Sequence, residues 1–350
     1  MKKPNFLSTV AGLAVGAGLA IISMAQAHQA PGLKKEAAVN VAGYRASGPY
    51  THENLSIFLI HGKDSIRGKT FLTLQEALEQ KKVVVHETSQ VNELAIENVS
   101  QEEVYIQSGD IVKGGMQDRV LTYDFIVPAK SGKVPISAFC VEHGRWRQRG
   151  KEKAYAFGTS SDLLSTKDLK LAAKYKNNQG EVWKKVAVAQ GKLKASLAVP
   201  VSSAESNSSL QLTLENKSVQ ESSEVYIKHL SPIIEKETDV VGYAFAINGR
   251  FNSADVYASG ALFRRLWPKL LKASSVEAIT ELHKDKKFEP ASRETVTACL
   301  MDAEQGHASE KNVNSRTKMV TQETDKNILF ETRDQAQKEG WIHRNYLAKD

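Results

Sequence analysis

The chain from residue 54 to residue 146 consists of short runs of β-branched and apolar residues separated by turn residues. In residues 120–127 apolar positions alternate with Thr122 and Asp124, a pattern typical of a strand with one buried face and one solvated face. Further strands are predicted over residues 55–60, 83–87, 93–98, 103–107 and 134–142, with a short helix over residues 74–80 that follows Thr73 as N-cap. This spacing predicts a β-rich, mainly antiparallel sandwich- or barrel-like lobe over residues 33–160.

Near residue 165 the period of the apolar pattern changes from 2 to 3.6. Helices are predicted over residues 181–192, 219–237, 261–271 and 334–339, the third interrupted at Trp267-Pro268. The polar residues 202–209 indicate a loop, and residues 240–256 indicate a hairpin that turns at Asn248-Gly249. Two further strands are predicted over residues 295–301 and 327–332. The sequence therefore predicts an α+β protein whose mixed helical lobe, residues 165–350, packs with the first lobe as one body.

The N-terminus has the pattern of a secretory signal peptide. Lys2 and Lys3 precede an apolar run over residues 6–25, and the run ends in the small-x-small sequence Ala25-Gln26-Ala27. An uncleaved membrane anchor is the alternative, which the glycines in the run and the cleavage site disfavour. We therefore expect residues 1–27 to be removed and the mature chain to be periplasmic or extracellular, with no membrane span after cleavage.

Composition excludes several classes of protein. The 350 residues include 47 Lys+Arg, 40 Asp+Glu and 41% hydrophobic residues, which excludes a disordered chain, a collagen and a disulfide scaffold. The charges are interspersed apart from one short basic cluster, Arg145 to Lys153, so no nucleic-acid partner is expected. Cys140 and Cys299 could form a single disulfide in an oxidising compartment, or remain two thiols.

Two segments, residues 108–119 and 139–146, are denser in glycine and charge than packing alone requires. Their glycines allow tight turns or a close approach of the backbone to a ligand. If the two strands pair, Asp118 and Arg119 lie near Glu142 and Arg145 at one rim of the sheet. The candidate ligand-binding residues of this rim are Asp110, Lys113, Gly114, Gly115, Gln117, Arg119, His143, Arg145 and Trp146.

Three functions for this rim remain open. The carboxylates and guanidiniums could form ion pairs that hold the end of the sheet, with Trp146 stacked on an arginine. The rim could instead bind an anionic or polyhydroxylated ligand, such as a small molecule or a sugar. Asp118 and Glu142 could also be the acid/base pair of a hydrolase acting on a glycosidic or phosphoribosyl bond.

Other sites have no support in the sequence. It contains no G-x-S-x-G, H-E-x-x-H, P-loop or C-x-x-C motif, and the spacing of its histidines indicates no metal site. No cofactor is therefore expected. Arg250, beside the predicted hairpin turn, could add to a site.

At residues 106–119 and 140–146, and again at residues 240–250 and 262–271, the chain resembles a family of uncharacterised proteins. That family is named for domains associated with ADP-ribosylglycohydrolases and rhodanese-phosphatases. The resemblance covers about residues 55–273 and carries over no catalytic residue. The family name suggests a link to ADP-ribose or nucleotide chemistry.

Overall fold

The computed structural model describes residues 40–41, 43–66, 69–283, 285–337 and 340–349. The predicted signal peptide, residues 1–27, lies outside these ranges. The strands are β1 (Asn40–Val41), β2 (Tyr44–His52), β3 (Leu55–His61), β4 (Leu72–Thr73), β5 (Val83–Gln90), β6 (Glu93–Asn98), β7 (Val104–Ile106), β8 (Ile111–Gly114), β9 (Arg119–Leu121), β10 (Phe125–Val127), β11 (Gly132–Cys140), β12 (Ala156–Gly158), β13 (Val240–Ile247), β14 (Arg250–Tyr257), β15 (His307–Asn312), β16 (Thr317–Glu323), β17 (Asn327–Asp334) and β18 (Gly340–Ala348).

The helices are α1 (Leu74–Glu79), α2 (Lys167–Lys170), α3 (Gln179–Leu197), α4 (Leu210–Leu214), α5 (Lys217–Leu230), α6 (Gly260–Thr280) and α7 (Arg293–Glu304). A π-helical segment, Leu171–Tyr175, continues α2, and 3-10 turns cover Ser231–Ile234 and Gln335–Gln337. No helix among the described ranges is both long enough and apolar enough to cross a bilayer.

Six strands of the first half form a closed barrel in the order β11-β6-β5-β12-β8-β9. A three-stranded sheet, β10-β7-β4, shares its hydrophobic core with the barrel and with α1. The strands of the barrel pair antiparallel throughout. The prediction of an α+β fold with a β-rich, mainly antiparallel, barrel-like first part is confirmed.

A second, nine-stranded sheet has the order β1-β2-β3-β13-β14-β18-β17-β16-β15. Both faces of its central strands are buried. In β3, Leu55, Ile57 and Leu59 enter the core that contains α3, α5 and α6, whereas Phe58 and Ile60 enter the core that contains α7. The sheet is therefore a layer between helices, and the first of these two cores also includes the barrel residues Ile111 and Phe139.

The division into lobes over residues 33–160 and 165–350 stays a prediction. The large sheet contains strands from both sides of residue 165, because β3 pairs antiparallel with β13. Its register places Val240 opposite His61, residues that are far apart in sequence.

Several predicted elements are confirmed and others are wrong. The helix after Thr73, the helix over residues 181–192 and the hairpin at Asn248-Gly249 form as expected. Residues 295–301 are helical rather than extended, because Ser292 caps α7 and Val296, Leu300 and Ala303 pack on the sheet. α6 continues through Pro268, since its apolar residues on both sides of the proline are buried and offset the roughly 3 kcal/mol that an interior proline costs.

The single strand predicted over residues 120–127 is in fact two, β9 and β10. Thr122 and Asp124, which the alternation places in solvent, are 0% and 1% exposed. The helix predicted over residues 219–237 ends at Leu230 and is followed directly by a 3-10 turn that contains Pro232. Of the helix predicted over residues 334–339, Asp334 is the last residue of β17 and Gln335–Gln337 form a 3-10 turn, while residues 338 and 339 lie outside the described ranges.

Candidate functional site

The two glycine- and charge-rich segments meet at one rim of the barrel. β9 pairs with β11, with Arg119 opposite Cys140, and the N–H of Val141 donates to the carbonyl of Asp118 at 3.1 Å. The structure thus brings Asp118, Arg119, Glu142 and Arg145 together, as the pairing of the two strands requires. We call these four residues and Arg149 the rim cluster.

Asp118 is fully buried and both its carboxylate oxygens have partners. Arg149 donates to Oδ2 at 2.6 Å and to Oδ1 at 3.0 Å, a two-point geometry that suits a guanidinium and a carboxylate. The N–H of Gly114 adds a bond to Oδ1 at 3.0 Å, and Ser209 donates to Oδ2 at 3.3 Å. Burial and the nearby Glu142 charge raise the pKa of Asp118 above its ordinary value, against the opposing effect of Arg149.

Glu142 is held in the same way. Its Oε1 accepts the N–H of Asp118 at 2.7 Å and the Nε of Arg145 at 2.9 Å, and its Oε2 accepts Ser206 at 2.7 Å. Burial acts to raise the pKa of Glu142, but these hydrogen bonds outweigh it and leave the pKa below its ordinary value. Each oxygen of the two carboxylates is therefore already bonded within the protein, which favours the architectural role among the three that the sequence leaves open.

Arg119 occupies the space between the barrel wall and Trp146. Its side chain is fully buried, its Nη1 donates to the carbonyl of Gln117 at 3.1 Å, and its Nη2 lies 3.6 Å from Glu87. Its guanidinium carbon lies 5.5 Å from the ring centroid of Trp146, which is 44% exposed. The expected stacking of Trp146 on an arginine is present, and it covers the arginine from solvent.

Of the remaining candidates, Asp110 and Lys113 pair with residues of other elements, whereas Gln117 and His143 lie beside Glu142. Asp110 is buried and pairs with Lys269 of α6 at 2.6 Å. Lys113 pairs with Glu215 after α4, and Gln117 donates to the carbonyl of Glu142 at 3.2 Å. The ring of His143 packs edge-on against Trp183.

The two glycines, Gly114 and Gly115, have positive φ angles and lie in the turn that precedes Asp118. A Cβ at Gly115 would lie 2.4 Å from the ring of Phe157. Their role is thus to permit close packing.

Cys140 and Cys299 are not joined by a disulfide. Cys140 is buried in β11, and burial raises the pKa of its thiol to about 11. Cys299 lies on α7, against the core on the opposite face of the large sheet. The alternative in which both residues remain thiols is the one that the structure contains.

A cleft of about 600 Å³ opens elsewhere, between α2, α3, the C-terminal end of α6 and the start of β14. We call it the cationic cleft, because five lysine and arginine side chains line it: Lys167, Lys185, Lys192, Arg250 and Lys286.

Two of these cations have acidic partners across the cleft wall. Lys185 lies 2.6 Å from Asp168, and Lys192 lies 2.6 Å from Glu281. Arg250 and Lys286 are exposed and have no acidic partner within 4.0 Å in the described part of the chain. The cleft therefore holds an excess of positive charge.

A buried acid, Glu277, forms part of the wall of the cationic cleft. It is 3% exposed, and its Oε1 accepts the N–H of Lys167 at 2.7 Å and the amide of Asn252 at 2.9 Å. Its Oε2 is buried without a hydrogen-bond partner. Burial raises the pKa of Glu277 above its ordinary value, against the opposing charge of Lys170.

Sequence reasoning missed this cleft, apart from Arg250. One signal was available, since Lys185 and Lys192 are seven residues apart on a predicted helix and so share a face. The approach of α6 and of β14 to that face depends on tertiary packing, which no local pattern encodes.

The chain was also compared with known proteins. No curated protein and no solved structure matched it. The family model of the ARG and Rhodanese-Phosphatase-superfamily-associated Protein domain matches residues 43–347, which is most of the chain. This match agrees with the resemblance carried by the rim segments, and the chain belongs to that family.

Proposed function

We propose that this protein binds a small anionic ligand in the cationic cleft. The observation that carries the proposal is the pair of exposed cations, Arg250 and Lys286, beside three further lysines in one concave site of about 600 Å³. A site of this size suits a small molecule, and guanidinium and ammonium groups are the usual partners of phosphate and carboxylate. The sequence predicts an anionic or polyhydroxylated ligand at the rim. The present proposal keeps the anionic ligand but assigns it to the cationic cleft.

The basic residues of the cleft would contribute to ligand binding in different ways. Arg250 and Lys286 supply uncompensated charge, and Arg250 can hold two oxygens of one phosphate or carboxylate. Lys185 and Lys192 are held in place by Asp168 and Glu281, so that little side-chain entropy is lost when they face a ligand. Glu277 forms part of the wall behind these cations.

Calorimetric titration with inorganic pyrophosphate, compared with the neutral sugar maltotriose, tests the proposal. We expect pyrophosphate to bind, and the double variant R250Q/K286Q to weaken its binding by about a hundredfold or more, since charged hydrogen bonds contribute roughly 1.5–3 kcal/mol each. The control is K151Q/K153Q, which makes the same change in net charge at exposed lysines outside the cleft. Equal loss in both double variants would indicate a general charge effect and contradict the proposal.

A hydrolase is the second candidate. The opposite pKa shifts of Asp118 and Glu142 are what an acid/base pair requires, although both side chains are buried. Incubation with ADP-ribose and with a p-nitrophenyl glycoside, followed by product analysis, tests this candidate. Loss of turnover in E142Q with binding retained would assign the chemistry to the rim cluster, whereas the same loss in E277Q would assign it to the cleft.

We also propose that the protein is exported after removal of residues 1–27. The support is the pattern of Lys2, Lys3, the apolar run and Ala25-Gln26-Ala27. Mass spectrometry of the protein isolated from its host should find an N-terminus at His28. An intact Met1 terminus on a cytoplasmic product would contradict export.

A further inference from the structure

Three potential metal ligands converge at one end of the large sheet. His61 is the last residue of β3, and Glu237 and Asp239 precede β13. Because β3 and β13 pair with Val240 opposite His61, the two acidic residues just before β13 lie beside the imidazole. The ligand atoms of these three residues all lie within 4.8 Å of one another, the one such group found in the part of the chain that the structure describes.

The geometry within this group suits a metal ion bound at Nδ1 of His61. That nitrogen lies 2.7 Å from Oδ1 of Asp239 and 4.0 Å from Oε2 of Glu237. The side chain of His61 is 2% exposed, whereas those of Glu237 and Asp239 are 36% and 52% exposed. The cluster thus combines one rigid buried ligand with two ligands that face solvent.

We propose that His61, Glu237 and Asp239 bind a divalent transition-metal ion such as Zn²⁺. One imidazole and two carboxylates form a donor set that Zn²⁺ accepts at distances of about 2.0–2.2 Å. An ion at these distances would replace the hydrogen bond between His61 and Asp239, and the two carboxylates need to shift only slightly. Since three protein ligands are present and the site faces solvent, water would complete the coordination.

Neighbouring groups already orient the ligands. Nε2 of His61 lies 2.7 Å from Oγ of Ser47, so this nitrogen can carry the proton and donate it while Nδ1 binds the metal. Arg264 of α6 donates to the carbonyls of Ile234 and Glu237, which holds the segment that carries the two acids. The N–H of Gly62 donates to the carbonyl of Asp239 at 2.9 Å.

A buried histidine paired with one aspartate is a common structural feature, and it would need no metal. Glu237 is the residue that distinguishes the two cases, because it points at the same nitrogen from 4.0 Å without a hydrogen bond to it. Arg45 lies 3.6 Å from the other oxygen of Asp239, Oδ2, and so leaves Oδ1 for the ion.

The test is titration of untagged, chelator-treated protein with Zn²⁺, followed by calorimetry and by the shift in thermal unfolding. We expect one ion per chain and a rise in Tm, since a ligand that binds only the native state stabilises it. E237Q and D239N should each weaken the affinity for Zn²⁺ by more than tenfold, and S47A by about tenfold as an outer partner of the histidine. E235Q changes an exposed acid in the same segment and should leave the affinity unaltered.

The variants keep the proposal falsifiable even if a substitution of buried His61 prevents folding, because Glu237 and Asp239 are half-exposed. If E237Q and D239N bind Zn²⁺ with the affinity of E235Q, the ion binds elsewhere and the proposal is wrong. Absence of stoichiometric binding to the unaltered protein would overturn it as well.

Discussion

At the scale of single residues, the two buried carboxylates of the rim cluster belong to one hydrogen-bonded group. Asp118 and Glu142 are enclosed by two guanidiniums and two serine hydroxyls, with the serines contributed by the polar loop that the sequence predicts over residues 202–209. The sequence indicated that these charges would meet. It did not indicate that Arg149, part of a basic cluster in an irregular segment, supplies the main partner of Asp118.

We predict that R149M destabilises the fold by about 3–5 kcal/mol, because it leaves the carboxylate of Asp118 buried without its bidentate partner. R147M is the matched control, since Arg147 belongs to the same segment and its side chain is exposed. Urea unfolding measures both free energies. Similar values for the two variants would show that the ion pair with Asp118 contributes little to stability.

A second buried group joins the barrel region to the large sheet. His343 of β18 lies between two carboxylates, with Nδ1 3.2 Å from Asp124 and Nε2 3.0 Å from Asp255. Lys174 pairs with Asp124 at 2.8 Å, and Tyr105 donates to the same carboxylate. Burial acts to lower the pKa of His343, but the charges and hydrogen bonds of the two aspartates outweigh it and raise the pKa.

This arrangement predicts how stability depends on pH. The raised pKa of His343 contributes stability that is complete below the unfolded value of about 6.5 and is lost as the pH rises through the folded value. The lowered pKa values of Asp124 and Asp255 contribute stability that is present above about 3.9 and is lost as the pH falls through their folded values.

The free energy of unfolding should therefore fall above pH 6.5, by up to about 1.4 kcal/mol per pH unit. Urea unfolding between pH 5 and pH 9 measures this fall. In H343Q the fall from this residue should disappear, whereas in H86Q, a change at a half-exposed histidine on the barrel, it should persist. A free energy that stays constant from pH 6 to pH 9 in the unaltered protein contradicts the prediction.

At the scale of elements, local patterns predicted the structure correctly where the local preference of the residues and their burial agree. The capping residue Thr73, the turn Asn248-Gly249 and the strand over residues 55–60 each combine a local preference with a matching environment. The pattern was wrong where burial opposed preference, as in α7, whose β-branched residues are helical because one face packs on the sheet. It was wrong again at Asp124, a polar residue that the fold buries within a hydrogen-bonded group.

The turn between β8 and β9 depends on glycine. Gly115 has a φ of +55°, and a Cβ there would meet Phe157 at 2.4 Å and the carboxylate of Glu87 at 2.8 Å. Gly132 has a similar φ of +63°, but a Cβ there would meet no atom within 4 Å. The two positions separate the cost of a left-handed backbone from the cost of a steric clash.

We predict that G132A costs about 1–2 kcal/mol, for the left-handed backbone alone. G115A should cost that amount plus about 1–3 kcal/mol for the displacement of Phe157. Thermal and urea unfolding of the two variants measure the difference. If G115A is no less stable than G132A, the packing of Phe157 against this turn is not restrictive.

At the scale of the whole molecule, contacts between distant parts of the sequence form what local patterns could not show. The fold class and the convergence at the rim were predictable, since both follow from strands and their pairing. The cationic cleft combines α2 and α3 with the end of α6, and the His61 group combines β3 with the segment before β13. The order of the large sheet was equally hidden, because β18 pairs with β14 on one side and with β17 on the other.

Because β18 pairs with a strand on each side, its deletion is the most demanding test of the sheet. A chain that ends at residue 338 loses both neighbouring ladders of hydrogen bonds, the buried side chains of Ile342, Tyr346 and Leu347, and the bonds of His343 to Asp124 and Asp255. We expect this chain to lack cooperative unfolding and near-ultraviolet circular dichroism, because an unpaired gap in the middle of a sheet leaves two open edges.

The control is a chain that ends at Ala348. It lacks Lys349 and the partly exposed pair of Lys349 with Glu323, and its free energy of unfolding should lie within about 1 kcal/mol of that of the full chain. A cooperative transition of unchanged midpoint in the shorter chain would mean that the strands on the two sides of β18 are held together without it, by the helices on the two faces.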